Sequence, residues 1–308
     1  MIAVAGEALI DLIIGPAGRA DVRPGGGPFN AARTIARLGQ AAVFVGRTSG
    51  DRFGQLLRDC LAADGVQLGV PDPAAEPTTL AMVHLGAAGV PEYSFYLTGT
   101  AASELDYGQL RAALPAWPDA LHVGSLGLAM DPIGASLESL ITSAPETTLV
   151  MLDPNCRPEA ITTRPQYLGR LQRIAGRADV VKASVEDLAY LSPGASIEAA
   201  AAALLRAGPA LVLVSDGPRP ARAFTAGDEV SVPVPAAEVA DTVGAGDALG
   251  GAFLSWWASR QRTRDDLRRV DEVAMAVRAA VEVSALTCTR SGAEPPWAAE
   301  LAGRPGWS

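Results

Sequence analysis

The sequence predicts an α/β fold, a doubly wound and mostly parallel sheet flanked by helices, with a small β lid. From residue 120 onward, short apolar strands alternate with segments of helical period, which is typical of a parallel sheet covered on both faces. Residues 78–85 and 92–97 instead alternate like a hairpin. With 308 residues and 49% hydrophobic content, the chain can bury one large core. We therefore expect a single domain over residues 1–308, with the lid formed from about 12–24 and 78–100.

The N-terminal part opens this pattern with a strand and a helix. Residues 1–14 are an apolar predicted strand interrupted by Glu7 and Asp11. A glycine run follows, and Pro28 with an apolar stripe at helical spacing predicts a helix that ends at Gly39. The other predicted strands are 41–45, 120–123, 148–152, 179–182, 210–214 and two edge strands, 221–225 and 229–234. The other predicted helices are 51–64, 107–114, 132–142, 166–174, 185–191, 197–205 and two long ones that start at Gly246 and Leu267.

Composition excludes several classes of function. The net charge of −9 opposes nucleic-acid binding, and no apolar run approaches the length of a membrane span. The N-terminus lacks the basic and apolar segments of a signal peptide, so we expect a cytoplasmic protein. Cys60, Cys156 and Cys288, with only His84 and His122, form neither a disulfide framework nor a zinc site. A site for a polyanion must therefore create its own positive field from helix ends, arginines, lysine or metal ions.

The segment 241–247 is the strongest candidate for chemistry. Gly244, Ala245 and Gly246 leave backbone N–H groups uncovered at a helix N-terminus, where an anion is favoured. Asp247 lies just inside that helix and would repel a phosphate unless it has a chemical task. The simplest task is to take a proton from a hydroxyl that attacks phosphorus. We expect the helix N-terminus to keep Asp247 ionised and therefore a weak base.

The alternative for this segment is a tight turn with close helix packing. The segment does not match two other phosphate-binding motifs. No Lys-Ser/Thr pair follows the glycines, as a P-loop requires, and Leu249 stands where a dinucleotide fingerprint has its third glycine. A dehydrogenase is therefore disfavoured.

A second candidate site lies in the N-terminal part. Gly26 and Gly27 lead into the first helix and let a polar ligand approach the backbone, and Asn30 offers both a donor and an acceptor to hydroxyl groups. The alternative is a flexible linker with Asn30 as a local helix cap. Asp11 is either a solvated strand end or a ligand group in the crevice where open α/β sheets bind their ligands.

Both segments, in this order, resemble the two signature segments of the ribokinase-like carbohydrate kinases. The resemblance extends over nearly the whole chain, through Gly6-Glu7, Asp11, residues 153–157, Lys182-Ala183-Ser184 and residues 289–293. Residues 93–96, 99–101 and 122–126 look most like the fructokinase branch.

The resemblance implies a ribokinase-like fold and ATP-dependent transfer of the γ-phosphoryl group to a sugar hydroxyl. Asp247 would be the base, Gly244, Ala245 and Gly246 the anion hole, and Arg157 would reach the sugar or the transferring phosphate. The implied sugar-binding residues are Asp11, Gly26, Gly27, Asn30, Tyr96, Arg157 and Asp247. The implied nucleotide-binding residues are Lys182, Ser184, Asp187, Ser215, Gly217, Gly244 and Gly246.

Metal ions are expected beside the phosphates. Mg²⁺ follows from the chemistry, because it neutralises charge on ATP that an acidic protein cannot. By resemblance, Asp187 would organise Mg²⁺ through water, and Asp241 and Val243, with backbone from 287–292, would hold a monovalent cation such as K⁺. Relatives also pair as homodimers through the lid, and the apolar hairpin permits this here.

The sequence departs from the family pattern in two places. Relatives often show Asn-x-x-Glu where this chain has Ser184 and Asp187, and Gly-x-x-Gly where residues 215–220 keep only the first glycine. We expect Pro218 and Pro220 to stiffen that nucleotide loop.

Fructose is the expected substrate, and the alternatives stay within one fold. Kinases of 2-keto-3-deoxygluconate usually carry an arginine after the lid tyrosine, where this chain has Leu97. That acid, ribose and nucleosides remain alternative substrates, and a non-catalytic sugar-binding homologue is an alternative that the intact Asp247 disfavours.

Overall fold

Two sheets organise the chain in the computed structural model, which describes residues 1–15, 18–85, 91–114 and 116–307. The strands are β1 Ile2–Ala5, β2 Leu9–Ile14, β3 Ala20–Gly25, β4 Ala42–Val45, β5 Gln67–Leu68, β6 Leu80–Leu85, β7 Pro91–Tyr96, β8 Ala120–Gly124, β9 Leu149–Asp153, β10 Val180–Ser184, β11 Leu211–Asp216, β12 Arg219–Phe224 and β13 Glu229–Val232. The helices are α1 Gly27–Arg37, α2 Arg52–Ala63, α3 Tyr107–Ala112, α4 Ile133–Thr142, α5 Arg164–Ala175, α6 Val185–Leu191, α7 Ile197–Ala207, α8 Ala245–Ser259 and α9 Val270–Cys288.

The large sheet has the order β13-β12-β11-β10-β9-β8-β1-β4-β5 within the described residues. Its strands are parallel except at one edge, where β12 and β13 run antiparallel. Alternate residues of each strand face two separate cores. Ile2 and Val4 face the core that contains α1, α8 and α9, whereas Ala3 and Ala5 face the core that contains α3 to α7. The doubly wound fold predicted from the alternation is confirmed.

The small sheet has the order β3-β2-β6-β7, and β6 and β7 pair antiparallel as the hairpin predicted from 78–97. The hairpin's turn, residues 86–89, lies outside the described residues. The prediction of one strand over 1–14 is wrong, because the chain leaves the large sheet after β1 and β2 joins the small sheet. The break lies at Gly6, whose φ of 148° is a conformation that favours glycine. A Cβ at this position would lie 2.4 Å from Cγ of Pro28.

Two further expectations differ at the C-terminal end. The last long helix begins at Val270 rather than Leu267, because Arg264–Arg268 forms a 3-10 helix before it. Pro220 lies inside β12 rather than in a loop, at a register irregularity beside Val214 and Asp216 where its missing N–H group is tolerated. No helix in the described part of the chain combines the length and the apolar character needed to cross a membrane.

Candidate active site

Two cavities open at the carboxyl ends of the central parallel strands. The first has a volume of about 530 Å³ and lies between the large and small sheets. The second, of about 680 Å³, lies beyond it over the ends of β10 and β11. Asn155, Thr242 and Gly246 line both cavities, so ligands in the two cavities would meet at a shared wall.

Asp247 and Asn30 form a buried pair in the first cavity. Asn30 Nδ2 donates to Asp247 Oδ2 at 2.9 Å, and the two residues are only 4% and 8% exposed. Among the described residues, Asn30 Oδ1 has no hydrogen-bond partner. Because a buried acceptor without a partner is costly, this oxygen is suited to accept a hydrogen bond from a ligand hydroxyl. The alternative role of Asn30 as a helix cap is not seen, since α1 has no side-chain cap.

The expectation that Asp247 is a weak base is not met. Burial raises the pKa of Asp247, and this effect exceeds the lowering by Lys182, the Asn30 hydrogen bond and Arg157. Desolvation therefore outweighs the nearby positive charges and the Asn30 hydrogen bond. A carboxylate with a raised pKa is a stronger base at neutral pH.

The predicted anion cradle lies at the start of α8. Gly244 is the left-handed residue before the helix at φ 77, and a Cβ on it would lie 2.4 Å from Cβ of Ala293. Ala245 N–H donates to Thr242 O at 3.3 Å, so this group is already engaged. The N–H groups of Gly244 and Gly246 have no acceptor among the described residues. Of the three donors expected from residues 244–246, two are therefore free.

A buried ammonium group lies beneath the cradle. Lys182 Nζ donates to Asp153 Oδ2 at 2.9 Å, and a Cβ on Gly246 would lie 2.8 Å from the same nitrogen. Burial alone would lower the pKa of Lys182, but Asp153, Asp187 and Asp247 raise it above its ordinary value. The helix start thus rests on a fixed positive charge, which favours an anion in the cradle.

Glu7 is a buried carboxyl group for which the sequence predicted no role. Its oxygens accept hydrogen bonds from Gly127 N at 2.8 Å and Gly27 N at 3.3 Å. Full burial raises its pKa to about 7, despite backbone hydrogen bonds that lower it. The signal in the sequence was an acidic residue inside an apolar strand. Glu7 joins the glycine run to the segment after β8, and both line the first cavity.

We expect Glu7→Gln to flatten the dependence of stability on pH. The folded-state pKa of Glu7, about 7, lies above the ordinary value of 4.5, so folding binds a proton between these values. Its contribution to stability is therefore complete below about pH 4.5 and lost as pH rises to about 7, at up to roughly 1.4 kcal/mol per pH unit. Denaturant unfolding between pH 5 and 8 measures this slope. An unchanged slope in the variant would contradict the assignment.

The small sheet supplies the other wall of the first cavity. Asp11 and Arg23 are cross-strand partners there, and burial raises the pKa of Asp11 to about 6 against the opposing charge of Arg157. Arg157 also lines this cavity, as do Gly26 and Gly27.

Tyr96 does not line the first cavity. It is 53% exposed, whereas Tyr93 and Phe95 line the wall. Neighbouring residues of a strand point to opposite faces, so Phe95 rather than Tyr96 faces this cavity. The next residue, Leu97, packs against the hydrophobic core that contains α3 to α7.

Six of the seven predicted nucleotide residues line the second cavity, namely Lys182, Ser184, Asp187, Ser215, Gly217 and Gly246. The seventh, Gly244, lines only the first cavity. Asp187 also closes a capping box at the start of α6: its Oδ2 accepts from Ser184 N at 2.7 Å and its Oδ1 from Cys156 N at 2.6 Å. Because each oxygen keeps a second lone pair, Asp187 fits a role towards Mg²⁺ through water rather than as a direct ligand.

Asn155 is a residue that the sequence analysis placed in a matching motif without a role. It follows β9, lines both cavities and has a positive φ of 38°. Its Nδ2 lies 3.4 Å from Ser125 Oγ. A strained residue at the junction of two cavities is typical of functional sites.

The chain is similar to known proteins over nearly its whole length. The model of the pfkB family of carbohydrate kinases matches residues 1–299. The chain is 34% identical over 284 residues to a fructokinase of Rhizobium leguminosarum bv. trifolii, covering 89% of this chain and 85% of the relative. A fructokinase of Xylella fastidiosa with bound ATP has a TM-score of 0.85 and 29% identity, covering 95% of this chain and 93% of that one. A fructokinase of Vibrio cholerae O395 with fructose, ADP and calcium has a TM-score of 0.83 and 30% identity, covering 95% and 94%.

These matches extend over nearly the full length of the chain and its relatives, and they confirm the resemblance and the ribokinase-like fold that the two glycine-rich segments indicated. The chain belongs to the pfkB family of carbohydrate kinases.

Proposed function

We propose that this kinase transfers the γ-phosphoryl group of ATP to a hydroxyl of fructose across the wall that the two cavities share. The observation that carries the proposal is the position of α8. Gly246 lines both cavities, while Asp247, the next residue, lines the first. A base on the sugar side and free N–H donors at the junction are the two groups that the reaction requires.

Each residue then has a definite task. Asn30 and Asp11 bind sugar hydroxyls, and Asp247 takes the proton of the attacking hydroxyl while Asn30 Nδ2 holds its carboxylate in place. The N–H groups of Gly244 and Gly246, above the Lys182 ammonium, stabilise negative charge on the transferring group. Arg157, which also lines the first cavity, adds a second positive charge near Asp247.

ATP occupies the second cavity in this proposal. Ser184, Ser215 and Gly217 contact the nucleotide there. Mg²⁺ bound to the phosphates, with Asp187 acting through water, supplies neutralisation of the phosphate charge. A monovalent cation at Asp241 and Val243 stays a prediction, which a contact from Arg23 opposes.

A neutral sugar suits the first cavity better than a sugar acid. The described lining carries four carboxyl groups, Glu7, Asp11, Glu159 and Asp247, against two guanidinium groups, Arg23 and Arg157. Arg23 is already bound to Asp21 and Asp241. A substrate carboxylate would be desolvated among like charges, whereas a neutral ketose needs only hydrogen bonds.

We expect kcat/KM for fructose to exceed that for 2-keto-3-deoxygluconate by at least about tenfold, which corresponds to roughly 1.4 kcal/mol. ADP release with Mg·ATP, measured side by side for both substrates and for ribose and a nucleoside, tests this. A preference for the acid would instead assign Arg23 and Arg157 to its carboxylate and would contradict the fructose proposal.

Pairing of two copies through the small sheet is part of the same proposal. Val22 and Tyr96, which are 40% and 53% exposed on this sheet, support it as apolar contact residues. Sedimentation velocity of the wild type and of Tyr96→Lys would show whether this surface holds a dimer.

A further inference from the structure

Asp241 is a junction of three segments that surround the anion cradle. Its Oδ2 accepts from Arg23 Nη1 at 2.7 Å and from Gly292 N at 3.0 Å. Its Oδ1 accepts from Val243 N at 3.1 Å. Arg23 belongs to β3 of the small sheet, so one carboxylate connects that sheet, the loop before α8 and the loop after α9.

Several of the oxygens predicted to hold a monovalent cation already accept hydrogen bonds, whereas Val243 O accepts none from the described residues. Cys288 O accepts from Ala240 N at 2.8 Å and from Asp241 N at 3.2 Å. Gly292 O accepts from the N–H of residue 294 at 2.9 Å. Both oxygens of Asp241 are also engaged, and the Arg23 guanidinium lies 2.7 Å from one of them, so Arg23 would have to leave before a K⁺ ion could bind there.

A positive charge is nevertheless present beside Asp241. The Arg23 guanidinium remains protonated at all physiological pH values, and its side chain is 27% exposed against 19% for Asp241. Asp241, which pairs with Arg23 at 2.7 Å, lies in the segment that leads into the cradle. A carboxylate there needs a positive partner before phosphates bind.

We propose that the Arg23 guanidinium takes the place of a monovalent cation at Asp241, so that phosphoryl transfer by this chain is independent of K⁺. The inference rests on the proposed function of the cradle. Because Arg23 is carried by the small sheet, the charge beside the cradle is complete only while that sheet lies against the loop before α8. Arg23 is thus a positioning residue that links the sugar side of the site to the phosphate side.

The activity test compares the wild type with Arg23→Ala in KCl and in tetramethylammonium chloride at equal ionic strength. We expect less than a twofold difference between the two salts for the wild type. Arg23→Ala should lose at least about tenfold in kcat without K⁺ and recover part of it with K⁺, because Asp241 is then free to bind the ion. Several-fold activation of the wild type by K⁺ would overturn the proposal, as would a variant that keeps its full kcat or a loss that K⁺ does not reverse.

A second test needs neither sugar nor ATP, and so it separates this proposal from the proposed function. In differential scanning fluorimetry, K⁺ should raise the Tm of Arg23→Ala above its value in tetramethylammonium and should leave the Tm of the wild type unchanged. Arg23→Lys keeps the charge and should behave as the wild type. Arg19→Ala, at an exposed arginine just before the same strand, is the matched control. A K⁺-specific rise in the wild type, or none in Arg23→Ala, would contradict the assignment.

Discussion

Replacing Asp247 by asparagine is expected to lower kcat by about 10²- to 10⁴-fold while the sugar and ATP still bind. The amide keeps the shape of the side chain, and its oxygen can still accept the hydrogen bond that Asn30 Nδ2 now gives to Asp247 Oδ2 at 2.9 Å. It cannot accept the proton of the attacking hydroxyl. Since the free N–H groups of the cradle are unchanged, the loss should fall on kcat rather than on the KM of ATP.

The measurement is steady-state ADP release, with binding of sugar and ATP followed by calorimetry. Asp228→Asn is a suitable control, because this residue lies in the exposed turn between β12 and β13 and lines neither cavity. If Asp247→Asn retained turnover close to that of the wild type, Asp247 would not be the base and the transfer would depend on alignment alone.

Removing the Lys182 ammonium is expected to destabilise the folded protein by about 1–3 kcal/mol at pH 7, because burial already raises the pKa of Asp153 to about 7 and the carboxyl takes up a proton once its partner is lost. In Lys182→Met the side chain keeps its length, but the Asp153 carboxylate loses the partner that donates to Oδ2 at 2.9 Å. Asp153 and Lys182 are 2% and 3% exposed, so water cannot replace the lost contact without opening the core. The cradle would also lose its fixed positive charge, so the KM of ATP should rise.

Two further variants make this expectation specific. Arg173→Met breaks the ion pair with Glu138 on the surface, where Arg173 is 58% exposed, and should destabilise the protein far less than Lys182→Met. Combining Lys182→Met with Asp153→Leu replaces the buried pair by apolar groups and should restore most of the stability lost in the single variant. Denaturant unfolding of all three variants tests the argument. A Lys182→Met protein as stable as the wild type would show that the buried pair contributes little.

Much of the fold was predictable because the strands of a parallel sheet are short apolar runs, such as β9 and β11, separated by helices of regular period. The break after β1 could not be predicted, because residues 2–14 look like one apolar strand in the sequence. Only the contact between Gly6 and Pro28, which the folded chain creates, shows where the strand leaves the large sheet.

The candidate site was also predictable only in part. Asp247, Asn30 and the glycines sit in local patterns with chemical meaning, and the structure brings them together. Contacts between distant segments, such as Arg23 with Asp241, have no local pattern and were missed. The functional position of Lys182 could have been inferred from the sequence, because it is the only lysine and lies in an apolar strand.

A structure of the protein with fructose and a non-hydrolysable ATP analogue would test the central claim, transfer across the shared wall, most directly. We expect the sugar in the first cavity, with one hydroxyl within hydrogen-bond distance of Asp247, and the nucleotide in the second cavity. The terminal phosphate should lie against the N–H groups of Gly244 and Gly246. Both ligands in one cavity, or a terminal phosphate remote from these two groups, would contradict the account.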